Sequence, residues 1–180
     1  MSLEEIRENN IRLVTNNALN CFIKKGINKT TLSEIAAASG LTERSIYRYY
    51  SSKEDLIIAS TFCYWERVKA HIYKELEQKA FDTLTGIEQI SIILKSYSDM
   101  LFVDPEGIRF SLDAEVALYQ VGKNSHVINR PPERFESYTG PLSIAIRKGL
   151  ADGTVSPNAN IKQLYYNCLL YTSPSPRDTR

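Results

Sequence analysis

The sequence predicts an all-α protein: a three-helix N-terminal unit containing a helix-turn-helix, followed by a longer helical region. Apolar residues recur at spacings of three and four along most of the 180 residues, the period of an α-helical face. Helix-start signals follow one another closely, at Thr31, Thr42 and Ser51. No stretch alternates as a half-buried strand would, and there is no internal repeat. With 43% hydrophobic and 24% charged residues, a chain of this length can bury a real core as one medium domain or two small ones.

The elements follow in order. Residues 4–25 place Ile11, Val14, Ala18 and Phe22 on one face, and Lys24, Lys25 and Gly26 end that helix with cations at its negative pole. Thr31 and Glu34 form a capping box for a short second helix, interrupted at Gly40. Thr42 caps a third helix through about Tyr49. Ser51 to Asp55 starts a long fourth, carrying Leu56, Ala59, Phe62, Cys63, Ile72 and Leu76. Further stripes are Ile87, Ile90, Leu94, Tyr97 and Leu101, and then Ile108, Leu112, Val116 and Tyr119. Asp104 and Pro105 open the second of these as N-cap and first helical residue. Residues 122–132 read as a loop, and 133–150 as a helix kinked at Gly140-Pro141. Asp152-Gly153 reads as a turn, and a further helix starts at Ile161.

Several function classes find no support. The net charge of +1 makes the whole chain no magnet for polyanions, yet residues 24–53 carry Lys24, Lys25, Lys29, Arg44, Arg48 and Lys53 against only Glu34 and Glu43. Cys21, Cys63 and Cys168 have no metal-like spacing and fit a reducing compartment, and His71 and His126 add too little for a zinc site. No metal and no cofactor is expected. The N-terminus lacks the regions of a signal peptide, and no run of about 18 apolar residues could span a membrane. The expected location is the cytoplasm. No Ser/His/Asp set, HExxH or Gly-rich phosphate loop supports an enzyme, and no catalytic residue is assigned.

The residues that carry chemistry lie between Thr31 and Lys53. Two helices crossing steeply over a tight turn need a small residue at the closest approach, which Ala36 supplies. Gly40 tolerates the positive φ of the turn, and Ile46 provides a branched apolar residue on the buried face of the second helix. Ile35 and Leu41 join Val14 and Phe22 in a small core. The exposed face of Thr42 to Tyr49 then fits a DNA major groove. Thr42, Glu43, Arg44 and Ser45 are placed toward base edges, with the Arg44 fork matched to guanine O6 and N7. Glu43 can accept from a cytosine amino group, although its simpler role is to stabilise the helix N-terminus. Thr31, Tyr47, Arg48, Tyr49 and Lys53 are placed toward phosphates, which fix register without reading sequence. Tyr50 has a core spacing from Ile46.

Here the chain resembles the DNA-binding domain of TetR/AcrR-type regulators. The resemblance runs from Phe22 through Gly26, Thr30-Thr31, Ile35-Ala36, Gly40-Leu41-Thr42 and Ile46-Tyr47-Arg48-Tyr49-Tyr50 to Ser52-Lys53-Glu54-Asp55-Leu56. It covers about residues 10–57, with a weaker echo at Gly149 to Gly153. Tyr50 departs from the usual phenylalanine, so its hydroxyl needs a partner. The resemblance implies a DNA-binding domain over residues 1–57 and a helical effector-binding and dimerisation domain over 58–167. It further implies a homodimer on a double-stranded DNA operator, and a small-molecule effector that releases a repressor from that operator. The effector and its contact residues are not legible: Tyr97, Phe110 and Tyr119 have core spacing, and Trp65 and His71 fit packing or surface roles. The alternative is an effector-free nucleoid-associated protein using the same module; a ligand-sized apolar cavity in the helical domain would distinguish the two.

From Cys168 the sequence resembles a translated sequencing adapter through Asp178, and Ser173-Pro174-Ser175-Pro176 cannot continue the helix begun at Ile161. The expectation is that residues 168–180 are an artefactual tail on a chain that naturally continues beyond Asn167. If so, the dimer-forming last helices are incomplete, and dimerisation and operator binding are weak.

Overall fold

The computed structural model describes residues 2–77, 81–120 and 141–160 together with Gln163. Among them it is all-helical. The helices are α1 Leu3–Lys25, α2 Leu32–Ala38, α3 Glu43–Tyr47, α4 Lys53–Glu77, α5 Gly86–Val103, α6 Pro105–Gln120 and α7 Pro141–Ala151, with a 3-10 turn at Phe81–Thr83. No described helix is long and apolar enough to cross a membrane. The chain divides into two compact units, Met1–Arg67 with Asp104–Arg130 and Val68–Val103 with Pro131–Arg180. Packing thus groups α6 and the first part of α4 with the N-terminal helices, a different division from a functional boundary at residue 57.

In the first unit, α1 is the spine. Val14, Ala18, Leu19 and Phe22 are buried along it, while Ile11 is half-buried. The Phe22 ring stacks on Phe110 of α6 with centroids 5.9 Å apart, and Tyr64 of α4 meets Phe110 edge-on at 6.3 Å. Three aromatic rings from three helices therefore form the centre of this unit, where each buries a large apolar area. Burial, reinforced by the neighbouring Asp104 carboxylate, pushes the Tyr64 pKa upward. Asp104 accepts from the Gly107 N–H at 2.9 Å and caps α6, with Pro105 in the first helical position as the sequence predicts.

In the second unit, α5 and α7 cross at two glycines. A Cβ on Gly86 would collide with the Gly149 backbone nitrogen and Cα, so only glycine fits. The turn after α7 then ties back to the start of α5. The Asp152 carboxylate accepts from the Gly86 N–H at 2.7 Å, and the Thr154 hydroxyl accepts from the Ile87 N–H at 3.1 Å. Two of the orphan N–H groups of α5 are satisfied in this way from 66 and 67 residues away. Thr154 donates its own proton to Asp152 at 2.6 Å, which, with the backbone bonds, holds that carboxyl below the usual aspartate range. The expected turn at Asp152-Gly153 is present, with Gly153 at φ 76°.

Several sequence-based faces need correction. On α4, Leu56, Ile72 and Leu76 are buried as expected, but Phe62 is 51% exposed, and Ile57, Ser60, Tyr64 and Val68 complete the buried face. On α5, Ile87 and Leu101 are exposed while Gln89, Ile93, Ser96 and Met100 are buried. On α6, Val116 is exposed and Phe110, Ala114 and Leu118 take the core. The physical reason is shared: buried positions here include small or hydrogen-bonded polar residues, such as Gln89, whose amide donates to the Phe81 carbonyl at 2.8 Å. A face traced through large apolar residues alone drifts off such a surface. The 133–150 helix is described only from Pro141, which starts α7. The 122–132 loop, the residues from 164 onward and the tail at 168–180 lie outside the described residues.

Candidate nucleic-acid interface

The α2–turn–α3 geometry is built by the residues that demand it. Thr31 caps α2 by accepting from the Glu34 N–H, and the Glu34 carboxylate accepts from the Thr31 N–H in return. Ala36 is buried at the crossing, Gly40 takes φ 64°, and the Leu41 N–H reaches the Ala36 carbonyl at 2.9 Å. Thr42 caps α3 through the Ser45 N–H, and Ile46 is fully buried beneath it. Glu34 also pairs with Lys25, which lowers the glutamate pKa and raises that of the lysine.

Burying Ile46 turns the rest of α3 outward: Thr42, Glu43, Arg44, Tyr47 and Arg48 are exposed. They divide into two strips. Along one, the Arg48 guanidinium donates to the Ser45 hydroxyl at 3.0 Å, which shares a hydrogen bond with Thr42 Oγ1 at 3.0 Å. Three polar side chains one turn apart are thus ordered by one another. Along the other lie Arg44 and Tyr47, also one turn apart. Arg44 makes no ion pair among the described residues, so its fork is available. Such a surface, cationic and rich in donors, suits the acceptor-rich edge of a guanine and the phosphate oxygens beside it.

The structure differs from the sequence reading at two of these residues, Tyr49 and Lys53. α3 ends at Tyr47, and both Tyr49 N–H and Tyr50 N–H return to the Ile46 carbonyl, at 2.8 and 3.0 Å. Tyr49 is half-buried, its hydroxyl accepting from Asn10 of α1 at 3.1 Å. Tyr50 packs as expected, and its hydroxyl finds a partner in Thr15 at 2.5 Å; burial raises its pKa. Lys53 turns inward to donate to the Ile27 carbonyl at 2.7 Å, and partial burial lowers its pKa. One of its three donors thus holds the α1–α2 turn.

Sequence reasoning found the apolar face of α1 but missed its polar contacts. Asn10 holds Tyr49, and Asn17 donates to the Ala38 carbonyl and the Ser39 hydroxyl at the end of α2, at 3.2 and 3.3 Å. Asn16 and Asn20 accept from Arg67 of α4, at 2.7 and 3.5 Å. The available signal was composition. Asn9, Asn10, Asn16, Asn17 and Asn20 sit within one helix, although asparagine is a poor helix former, by up to about 0.7 kcal/mol each relative to alanine.

Comparison with known proteins agrees with this geometry. Residues 14–59 match the family model described as bacterial regulatory proteins, tetR family. Among solved structures, the chain is similar to the transcriptional regulator FadR of Bacillus subtilis, solved in complex with stearoyl-CoA. The identity is 15%, covering 90% of this chain and 82% of that one, with a TM-score of 0.61. It is also similar to a TetR family transcription regulator of Marinobacter aquaeolei VT8, at 16% identity over 98% and 92% of the two chains and a TM-score of 0.54. A third similar structure is the fatty acid degradation regulator FadR of Bacillus halodurans, at 16% identity over 88% and 82% and a TM-score of 0.51. At these identities the structures show a common fold.

Proposed function

We propose that this chain, a tetR-family protein by its N-terminal domain, represses transcription by holding an operator through α3 and lets go when a small molecule binds its helical domain. The observation that carries the reading is the exposed face of α3, where Arg44 and Tyr47 lie beside the pre-ordered Thr42–Ser45–Arg48 strip. Thr42, Glu43, Arg44 and Ser45 face the bases, with Arg44 reading a guanine and Glu43 chiefly supporting the start of α3. Thr31, Tyr47, Arg48 and Tyr49 meet phosphates. Lys53 joins them only with the donors not spent on Ile27.

Residues 1–57 carry this DNA-binding role, and 58–167 carry the effector and the homodimer contact. The two subunits place their α3 helices in successive major grooves, and the effector favours a spacing that no longer fits; linkage makes the antagonism reciprocal. The second unit carries an open cleft of about 560 Å3, with room for a small-molecule effector. Leu76, Phe81, Pro141 and Ile144 line it, with Tyr73, Glu77 and Asp82. This volume is in the range of small-molecule sites. The regulator acts by binding, with no reaction of its own.

Selection from a random-sequence duplex library tests the reading. The unaltered protein should enrich a defined site, and Arg44→Ala should lose preference at particular base positions at a discrimination cost of about 1–3 kcal/mol. Enrichment of no sequence by the unaltered protein would remove the regulator reading.

A further inference from the structure

We propose that Asn10 is a positioning residue that aims the Tyr49 hydroxyl proton at a phosphate of bound duplex DNA; the inference rests on the DNA-binding reading above. A phosphate oxygen only accepts hydrogen bonds, so a tyrosine serves it only as a donor. A phenol has a single proton, and its neighbours decide where that proton goes.

The two adjacent tyrosines have opposite answers. Thr15 of α1 donates its hydroxyl proton to the Ile11 carbonyl at 2.7 Å, so in its 2.5 Å contact with Tyr50 it must accept. The Tyr50 proton is therefore consumed inside the fold. Asn10, five residues earlier on the same helix, donates its amide N–H to Tyr49 Oη at 3.1 Å. The phenol oxygen accepts in this bond, so its own proton is left for another partner. Tyr49 is half-buried and follows the exposed Tyr47 and Arg48 in the chain, at the end of the face read as DNA-contacting. One helix thus sets two hydroxyls in opposite senses: Tyr50 locks the fold, and Tyr49 keeps a proton to donate. Fixing that direction before binding spares the entropy of orienting the group in the complex.

The test is a double-mutant cycle on a random-sequence 30-base-pair duplex, read by fluorescence anisotropy alongside thermal melting. Tyr49→Phe should weaken binding about tenfold or more, as expected for one hydrogen bond to a charged acceptor, with little change in melting. Asn10→Asp reverses the bond, because a carboxylate takes the Tyr49 proton while preserving the contact. Its added charge also repels DNA, and the Tyr49→Phe background measures that part alone. The proposal requires Asn10→Asp to cost about threefold or more beyond its cost in that background. Equal costs in the two backgrounds, or unchanged binding by Tyr49→Phe, would overturn it while leaving DNA binding intact. If Asn10→Asp fails to fold, Asn10→Ala carries the same cycle, with a smaller excess loss of about twofold from a hydroxyl left free to rotate. Failure of the unaltered protein to bind the duplex would instead overturn the DNA-binding reading and this inference with it.

Discussion

The two units of this chain are both helical, yet they are specified in different ways. In the first, individual residues answer individual geometric demands: Ala36 at a crossing, Gly40 in a turn, Thr31 and Thr42 at helix starts. In the second, most of the helical surface needs only to bury area, and its precise demands fall on a few distant residues, Gly86, Gly149, Asp152 and Thr154. A surface that must present groups to a rigid partner tolerates little slack in its own backbone. A packed pair of helices accepts many apolar sequences at nearly the same cost.

If the first unit depends on its aromatic centre, Phe22→Ala should have the largest effect. It removes a ring that is 1% exposed and stacked on Phe110, and should cost about 3–5 kcal/mol in chemical denaturation. The second unit offers the counterpart in Gly86→Ala. There a new Cβ meets backbone atoms that cannot swing aside, and separating α5 from α7 should cost about 1–3 kcal/mol or more. A loss below about 0.5 kcal/mol, within the usual surface range, would show that the glycine crossing is not what holds these helices.

Smaller changes sharpen the contrast. Tyr50→Phe deletes the hydroxyl that meets Thr15 and should cost about 1 kcal/mol or less, since Thr15 keeps its bond to Ile11. Acid should reach the second unit through Asp152. Its folded pKa is depressed, chiefly by the Thr154 hydroxyl and then by the Gly86 and Thr154 N–H groups. Its contribution is therefore complete above the ordinary aspartate pKa and is lost as pH falls through the lower folded value. Asp152→Asn should flatten the acid limb of a pH–melting curve, and an unchanged limb would remove Asp152 as a cause.

How much of this was legible in the sequence follows the same division. Thr31, Gly40, Thr42 and Ile46 could be read because their signals are local, each fixed by spacing within a turn or two. Asp104-Pro105 and Asp152-Gly153 were legible for the same reason. Asn10, Thr15 and Asn17 were not, since their partners lie 39, 35 and 22 residues away, and nothing local in an asparagine says which distant hydroxyl it holds. The inward turn of Lys53 was hidden likewise, by a carbonyl 26 residues earlier. The faces of α4, α5 and α6 drifted because Ser60, Gln89, Ser96 and Ala114 take core positions that a search for large apolar residues passes over.

The central claim is that the face around α3 grips duplex DNA, and the salt dependence of binding tests it most directly. Affinity of the whole chain for duplex DNA, measured from low to physiological salt, should fall linearly on logarithmic axes, and Arg48→Ala should reduce that slope by about one unit. Binding that is absent at low salt, or a slope indifferent to Arg48, would contradict the account.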